Sequence, residues 1–136
     1  MKKNTGKTSE KIFEDNVEGL VFRFRDKSDL MGLNKNARIT TFGNPSDYVL
    51  CNESGMFLAE VKSSNSKSSF SFSNFTKAQL AAIYKMYKKG YGERYRIYVH
   101  SLASNVWYLI TAKEIMEQKG KSIKWKNMST LTSWSI

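Results

Sequence analysis

The sequence contains very few of the side chains that bind transition metals or form cross-links. Cys51 is its one cysteine and His100 its one histidine. A single cysteine cannot form an intramolecular disulfide, which favours a reducing, cytoplasmic location. The two residues together are also too few for a zinc site with the usual nitrogen and sulfur ligands. We therefore expect any catalysis to use carboxylates and lysines, with a hard metal ion.

Long apolar runs are absent as well. No run approaches the roughly 18 residues that a membrane-spanning helix requires. The first residues, MKKNTGKTSEKIF, carry lysines but lack the apolar core of a signal peptide. From these patterns we expect no membrane partner.

Acidic residues are scarce relative to basic ones. The 136 residues include 22 lysines and arginines against 12 aspartates and glutamates, a formal net charge of +10. Such a surplus favours a polyanionic partner: DNA, RNA or an acidic membrane surface. A hydrophobic content of 40% is sufficient for a core, so we expect one domain over residues 1–136. A flexible basic arm over 1–7 and a basic, aromatic tail over 120–136 are expected to belong to it.

Hydrophobic periodicity predicts alternating helices and strands. A first helix is expected from Ser9 to the Gly19 stop, with Thr8 or Ser9 as N-cap. The segment LVFRFRD alternates Phe22 and Phe24 with Arg23 and Arg25 and therefore reads as a half-buried strand. Further strands are expected at Ala37–Phe42, Ser46–Leu50, Met56–Lys62, Arg94–Val99 and Val106–Ile110, with helices at Thr76–Lys89 and after the capping box Thr111–Glu114. The helix at Thr76–Lys89 carries an apolar stripe that is expected to be core: Leu80, Ile83, Tyr84 and Tyr87. The predicted class is mixed α/β (α+β), a central mixed β-sheet flanked by helices.

Two acidic residues occupy the predicted hairpin around the turn sequence NESG. A turn centred between Glu53 and Ser54 places Asp47 opposite Glu60, and Lys62 points to the same face. Two carboxylates so close destabilise a sheet unless a cation lies between them, and Mg²⁺ prefers such oxygens. A slip of the register by one residue would separate them, and an ordinary solvated hairpin face remains the alternative.

The same residues resemble a nuclease motif. Asp47, twelve residues and then Glu60-Val61-Lys62 resemble the PD-(D/E)xK motif, with Pro45-Ser46-Asp47 in place of the usual Pro-Asp. The segment EVKSSNSKSSFSFSNFTKAQL resembles the bacterial RecU Holliday junction resolvases, and LAEVKS is similar to the archaeal ones. The positions that carry this resemblance are Gly6, Glu10, Glu60, Lys62, Ser69, Phe70, Asn74, Phe75 and Gln79.

Two departures from the RecU pattern concern the choice of DNA substrate. The stretch DKSDLMGLNKNARITTFGN is short where those proteins carry a long stalk that enters the junction. Thr76 stands where the family has a histidine. Both departures bear on junction selectivity more than on nuclease chemistry.

The resemblance implies a restriction-endonuclease-like fold and a set of roles. Asp47 and Glu60, with the Val61 carbonyl, would bind Mg²⁺, for which Mn²⁺ can substitute, and Lys62 would stabilise the developing charge. Glu10 would complete the metal shell or orient a water molecule, with Glu14 as the competing candidate. Gln79 would orient Lys62 or a phosphate, although Thr76-x-x-Gln79 also reads as a capping box.

The resemblance also implies a homodimer that cuts a four-way DNA junction, with no small-molecule cofactor. Basic residues expected to line a DNA groove are Lys7, Arg23, Arg25, Lys27, Lys35, Arg38, Lys67 and Lys77. Phe70, Phe72 and Phe75 are expected to pack in the core or a dimer interface. The open alternatives are an endonuclease for flaps, forks or duplex DNA, a non-catalytic DNA-binding relative, and a basic domain that binds RNA or membranes.

Overall fold

The structure is a computed structural model that describes residues 5–24 and 44–134. The predicted strand Ala37–Phe42 and the groove candidates Arg25, Lys27, Lys35 and Arg38 lie outside these ranges. The helices are α1 (Thr5–Asn16), α2 (Lys77–Lys88) and α3 (Ala112–Glu117). The strands are β1 (Leu20–Arg23), β2 (Tyr48–Asn52), β3 (Gly55–Ser64), β4 (Ser69–Ser71), β5 (Tyr95–Ser101), β6 (Val106–Thr111), β7 (Ser122–Lys124) and β8 (Ser129–Thr130).

The described strands form two sheets. Six of them build a central sheet in the order β1-β2-β3-β5-β6-β8, and β4 pairs with β7 in a small second sheet. β3 and β5 run parallel, whereas the other neighbours in the central sheet are antiparallel. The chain returns from β3 to β5 through β4 and α2, as a parallel pair requires. The predicted mixed α/β class with a mixed central sheet is therefore confirmed.

Each face of the central sheet is covered by its own hydrophobic cluster. On one face Phe13 of α1 is fully buried, with its ring 5.0 Å from that of Tyr48 and 4.8 Å from that of Tyr98. On the other face Ile97 and Ile110 pack against residues of α2, α3 and the small sheet. Because side chains alternate along a strand, neighbouring residues of β3 and β5 serve different clusters.

The start of α1 and the orientation of β1 differ from the predictions. The helix begins at Thr5, so the predicted N-cap at Thr8 or Ser9 is wrong, and the last residues of the predicted arm are helical. Phe22 of β1 is 59% exposed, while Val21 packs against the cluster beneath α1. Arg23 shares the face of Val21 because its guanidinium pairs with glutamates of α1.

The second helix agrees with its predicted boundaries, but part of its apolar stripe lies on the surface. Thr76 caps α2, which ends next to Lys89. Ile83 is buried, whereas Leu80 and Tyr84 are 41% and 51% exposed. The expectation that the stripe is core therefore holds for Ile83 and is wrong for Leu80 and Tyr84.

The C-terminal residues belong to the fold. Trp125 is buried and stacks on Tyr108 at 5.0 Å between ring centroids, and Trp134 stacks on Tyr98 at 6.3 Å. The backbone N–H of Glu18 donates to the carbonyl of Trp134 at 3.0 Å, which ties the end of the chain to α1. The aromatic residues of the predicted tail are thus core residues, and its lysines remain exposed.

A buried polar group links α1 to β5. His100 lies between the Ser9 hydroxyl, 2.9 Å from its Nδ1, and the Asn105 side-chain oxygen, 2.8 Å from its Nε2. Its ring is stacked on Trp107 at 4.5 Å. Ser9 directly precedes Glu10, so this contact holds the helix turn that carries Glu10 against the sheet.

Among the described helices, none is long and apolar enough to cross a membrane.

Candidate active site

The hairpin of β2 and β3 has the predicted register. Asn52 pairs with Gly55 and Tyr48 with Ala59, so the turn is centred between Glu53 and Ser54. The next step along this register places Asp47 opposite Glu60, and the Asp47 backbone N–H donates to Glu60 Oε2 at 2.9 Å. The alternative of a slipped register is thereby excluded, and the two carboxyl groups lie on one face of the sheet.

Glu60 is a buried acid held by several polar contacts. Only 1% of the Glu60 surface is accessible to solvent. Besides the Asp47 N–H, the amide Nε2 of Gln79 donates to Glu60 Oε1 at 2.9 Å, and Lys62 Nζ lies 3.6 Å from the same oxygen. The prediction that these acids are ordinary solvated residues is therefore wrong for Glu60.

This environment favours the protonated form of Glu60. Burial is the largest cause that raises its pKa, to about 9, and the neighbouring Asp47 carboxyl adds to the rise through a side-chain hydrogen bond and its charge. Lys62 opposes the rise but does not cancel it. A buried carboxyl that holds a proton next to a second carboxyl marks a position where a bound cation would be favourable.

Lys62 is held between the acid pair and an aromatic ring. Its Nζ lies 5.6 Å from the centroid of Phe75, on the side of the site formed by the segment before α2. The side chain is only 17% exposed. The ammonium group therefore has a defined position beside Glu60, as a charge-stabilising role requires.

The capping role of Gln79 is confirmed, and its side chain also reaches the carboxylate site. The side-chain Oε1 of Gln79 accepts from the backbone N–H of Thr76 at 2.9 Å. The backbone N–H of Gln79 donates to Thr76 Oγ1 at 3.2 Å, which completes the capping box. Its Nε2 is still available for Glu60. The prediction that Gln79 orients Lys62 or a phosphate is corrected in one respect, because the side chain it contacts is Glu60.

Glu10 and Glu14 both approach the site from α1, with different partners. Arg23 Nη1 lies 3.0 Å from Glu10 Oε2 and 3.8 Å from Glu14 Oε1. Glu14 also accepts from the Tyr48 hydroxyl at 2.7 Å. Burial is the largest influence on Glu10 and raises its pKa, with Asp47 as a further cause, so Glu10 lies within electrostatic reach of the acid pair. These contacts favour Glu10 over Glu14.

Tyr95 is a site residue that sequence reasoning missed. Its hydroxyl donates to the carbonyl of Pro45, and Ser46 Oγ donates to the carbonyl of Tyr48 at 2.9 Å. Both bonds fix the backbone that carries Asp47. Burial raises the pKa of Tyr95 far above its usual range, and Glu60 and Asp47 raise it further. No local pattern indicates this role, since Tyr95 reaches the site through parallel pairing of β5 with β3.

The donor atoms at the site suit a hard cation. Asp47 and Glu60 offer carboxylate oxygens, which Mg²⁺ prefers, and Val61 lies next to them on β3. The buried Glu60 carboxyl with the Asp47 carboxyl beside it is the feature that would fit a metal here. Within residues 5–24 and 44–134 no three acidic, histidine or cysteine side chains converge closely enough to form a metal cluster. An ion at this position would have the carboxylates of Asp47 and Glu60 as its side-chain ligands.

The groove candidates are dispersed. Arg23 lies beside the carboxylates, Lys7 is on the exposed first turns of α1, Lys67 is on the loop after β3, and Lys77 begins α2. Phe70 and Phe75 are buried and Phe72 packs against them, which confirms core packing.

Comparison with protein-family models finds no match, and comparison with curated proteins finds no significant one. The resemblance to PD-(D/E)xK nucleases therefore stays a prediction.

Proposed function

We propose that this protein is a Mg²⁺-dependent, structure-selective DNA endonuclease that resolves four-way junctions, in the manner of the Holliday junction resolvases that it resembles. The observation that carries the proposal is the buried Glu60 with the half-buried Asp47 beside it and Lys62 held 3.6 Å away. Two adjoining carboxyl groups disfavour a double negative charge, and a bound cation would relieve that repulsion. The net charge of +10 supports a polyanionic substrate.

The chain topology supports a restriction-endonuclease-like fold as part of this proposal. A helix precedes an antiparallel unit β1-β2-β3, and a crossover through α2 leads to β5, which is parallel to β3. Glu60 lies on β3, and Asp47 directly precedes β2, next to the crossover. Residues 60–64 of β3 extend beyond the stretch that is paired with β2 and pair with β5, so a phosphate would approach this end of the strand from the Asp47 side.

Each residue of the site has a part that its contacts allow. Asp47 and Glu60, with the Val61 carbonyl, would hold the ion, and Gln79 keeps the Glu60 carboxyl oriented. A bound Mg²⁺ polarises a phosphate and lowers the pKa of a water ligand. Lys62 stabilises the charge that develops on the phosphate oxygens. Glu10 would orient a water molecule, and Arg23 would contact a phosphate.

A homodimer belongs to the proposal, because symmetric cleavage of a junction requires two sites related by a two-fold axis. Leu20, Phe22 and Met56 are all more than half exposed. They lie on the same face of neighbouring strands and supply apolar area for such an interface.

The decisive test is cleavage of an end-labelled four-way junction and of a linear duplex with the same arms, in Mg²⁺ and in EDTA. We expect paired nicks at symmetric positions near the branch point, lost in EDTA. Equal cutting of the linear duplex would support the metal site and reject selectivity for junctions. Fork and flap substrates are compared in the same assay, and preferential cutting of one of them would make it the substrate. Absence of any cutting would favour a DNA-binding protein without nuclease activity.

A pair of substitutions separates the two roles of Gln79. Gln79→Leu removes one half of the capping box and the hydrogen bond to Glu60, whereas Thr76→Ala removes the other half of the box only. We expect Thr76→Ala to lose about 1 kcal/mol of stability, and Gln79→Leu to lose more because it also removes the buried hydrogen bond to Glu60. Only Gln79→Leu should lower the cleavage rate, by about tenfold, because one lost hydrogen bond is worth about 1.4 kcal/mol. Equal cleavage rates in the two variants would restrict Gln79 to helix capping.

A further inference from the structure

The basic residues are distributed unevenly along the chain. Residues 61–92 contain six lysines and no acidic residue, and residues 118–136 contain four lysines and no acidic residue. The acids lie elsewhere, and Glu93, Glu114 and Glu117 are confined to the turn before β5 and to α3. Two long segments therefore carry positive charge without local compensation.

The small sheet brings parts of these two segments together. Ser69 pairs with Lys124 and Ser71 with Ser122. Trp125 is hydrogen-bonded to the loop after β3. Its indole N–H donates to the carbonyl of Ser66 at 2.9 Å, and its backbone N–H donates to the carbonyl of Ser68 at 3.2 Å. We call this unit, residues 65–76 and 118–127, the lysine lobe.

The outer face of the lysine lobe carries only polar and positively charged groups. Phe70 and Ile123, which pair across the small sheet, are buried. Their neighbours therefore project from the opposite face. The exposed lysines of the lobe are Lys67, Lys119, Lys121, Lys124 and Lys126. Within the described ranges, none of these five has a carboxylate within 4.0 Å.

One segment of the lobe, 65–76, is attached to the carboxylate site at both of its ends. It follows β3, which ends two residues after Lys62, and it leads to α2, whose Gln79 contacts Glu60. Phe75 of the lobe lies beneath the Lys62 ammonium group. A strand rises about 3.3 Å per residue, so the loop begins within about 15 Å of Lys62, a length of about four base pairs.

We propose that the lysine lobe binds the phosphate backbone of a duplex DNA arm next to the phosphate that is cut. The inference rests on the proposed function for the identity of the polyanion. Lysine ammonium groups and serine hydroxyls are donors that contact phosphates without reading the base sequence. A membrane partner is disfavoured, because the aromatic and aliphatic side chains Phe70, Ile123 and Trp125 point into the core.

The test compares two triple variants with the same loss of charge. Lys121→Ala/Lys124→Ala/Lys126→Ala removes lobe lysines, and Lys85→Ala/Lys88→Ala/Lys89→Ala removes exposed lysines at the far end of α2. Fluorescence anisotropy measures duplex and junction binding in EDTA between about 50 and 200 mM KCl, where each phosphate contact contributes about 0.9 to the salt slope. We expect the lobe variant to lose about two to three units of slope and at least about tenfold in affinity at 0.1 M salt.

The control variant should bind within about threefold of the wild type, and a Lys→Arg triple at the lobe positions should restore binding. Equal weakening by both Ala triples, or unchanged binding by the lobe variant, would overturn the inference. A lobe variant that no longer binds phosphatidylserine vesicles but still binds DNA would also overturn the inference. Binding in EDTA needs no cleavage, so lobe-dependent binding by a protein that never cuts would reject the nuclease alone. Normal cutting with unchanged binding by the lobe variant would reject the lobe alone.

Discussion

Replacing Asp47 with asparagine is expected to lower Mg²⁺-dependent cleavage by at least about 10³-fold, because metal-assisted charge stabilisation is worth several kcal/mol and each 1.36 kcal/mol is about tenfold. The substitution keeps the size of the side chain and removes the charge that a cation requires. It also leaves the backbone N–H that donates to Glu60, so the hairpin retains its geometry. Single-turnover cleavage of the junction is the measurement.

The matched control is Asp15→Asn, which removes one carboxylate from the exposed surface of α1, where Asp15 pairs with Lys11 at 3.3 Å. We expect this variant to cut within about twofold of the wild type, since an exposed pair contributes little. DNA binding in EDTA should be preserved to within about threefold in both variants. An Asp47→Asn protein that cuts within tenfold of the wild type would remove Asp47 from the site.

Replacing Glu60 with glutamine is expected to abolish cleavage and to change how stability depends on pH. Burial and Asp47 raise the pKa of Glu60 from 4.5 to about 9 in the metal-free fold. Between these values the folded protein holds a proton that the unfolded chain has released. The stabilising contribution of this proton on Glu60 to the free energy of unfolding is therefore at its maximum below pH 4.5. It decreases by about 1.4 kcal/mol per pH unit as pH rises towards 9.

The wild type without metal should therefore lose a few kcal/mol of stability between about pH 5 and pH 9, and Glu60→Gln should lack this component. The amide cannot accept from both the Asp47 N–H and Gln79, so the slope with pH is more diagnostic than the absolute stability. Mg²⁺ should stabilise the wild type increasingly at higher pH, because it binds the ionised carboxyl, and should not stabilise the variant.

Urea denaturation at several pH values, with and without Mg²⁺, measures both effects. Glu117→Gln is the control, because it removes an exposed carboxyl at the end of α3. Its slope with pH should match that of the wild type. A Glu60→Gln protein with the wild-type slope would show that another group binds the proton.

Local features of the sequence were sufficient to predict the frame of the site. The turn NESG and the alternation on either side determine the register of β2 and β3, which places Asp47 opposite Glu60. The capping boxes at Thr76 and Thr111 mark the starts of α2 and α3 because both partners lie within one helical turn. Such features depend on residues a few positions apart, so they can be read before the fold is known.

Other features were missed because they depend on contacts between distant segments. Phe22 was expected to be inward, but β1 turns Arg23 towards the glutamates of α1, and this ion pair cannot be seen from alternation alone. Tyr95 reaches the acid pair through parallel pairing across a crossover, for which no short pattern exists. The tryptophans of the C-terminal tail likewise contact rings of distant elements, Trp125 those of β4 and β6 and Trp134 those of α1, β5 and β6.

The sequence by itself determined the charge of the protein, the mixed class of its fold and the residues that face one another across the hairpin. Only the tertiary structure decided the chemistry of those residues. Burial in the packed core and the neighbouring Asp47 raise the pKa of Glu60, and Gln79 from another element orients its carboxyl. The lysine lobe exists for the same reason, since two basic segments some fifty residues apart become one surface only when β4 pairs with β7.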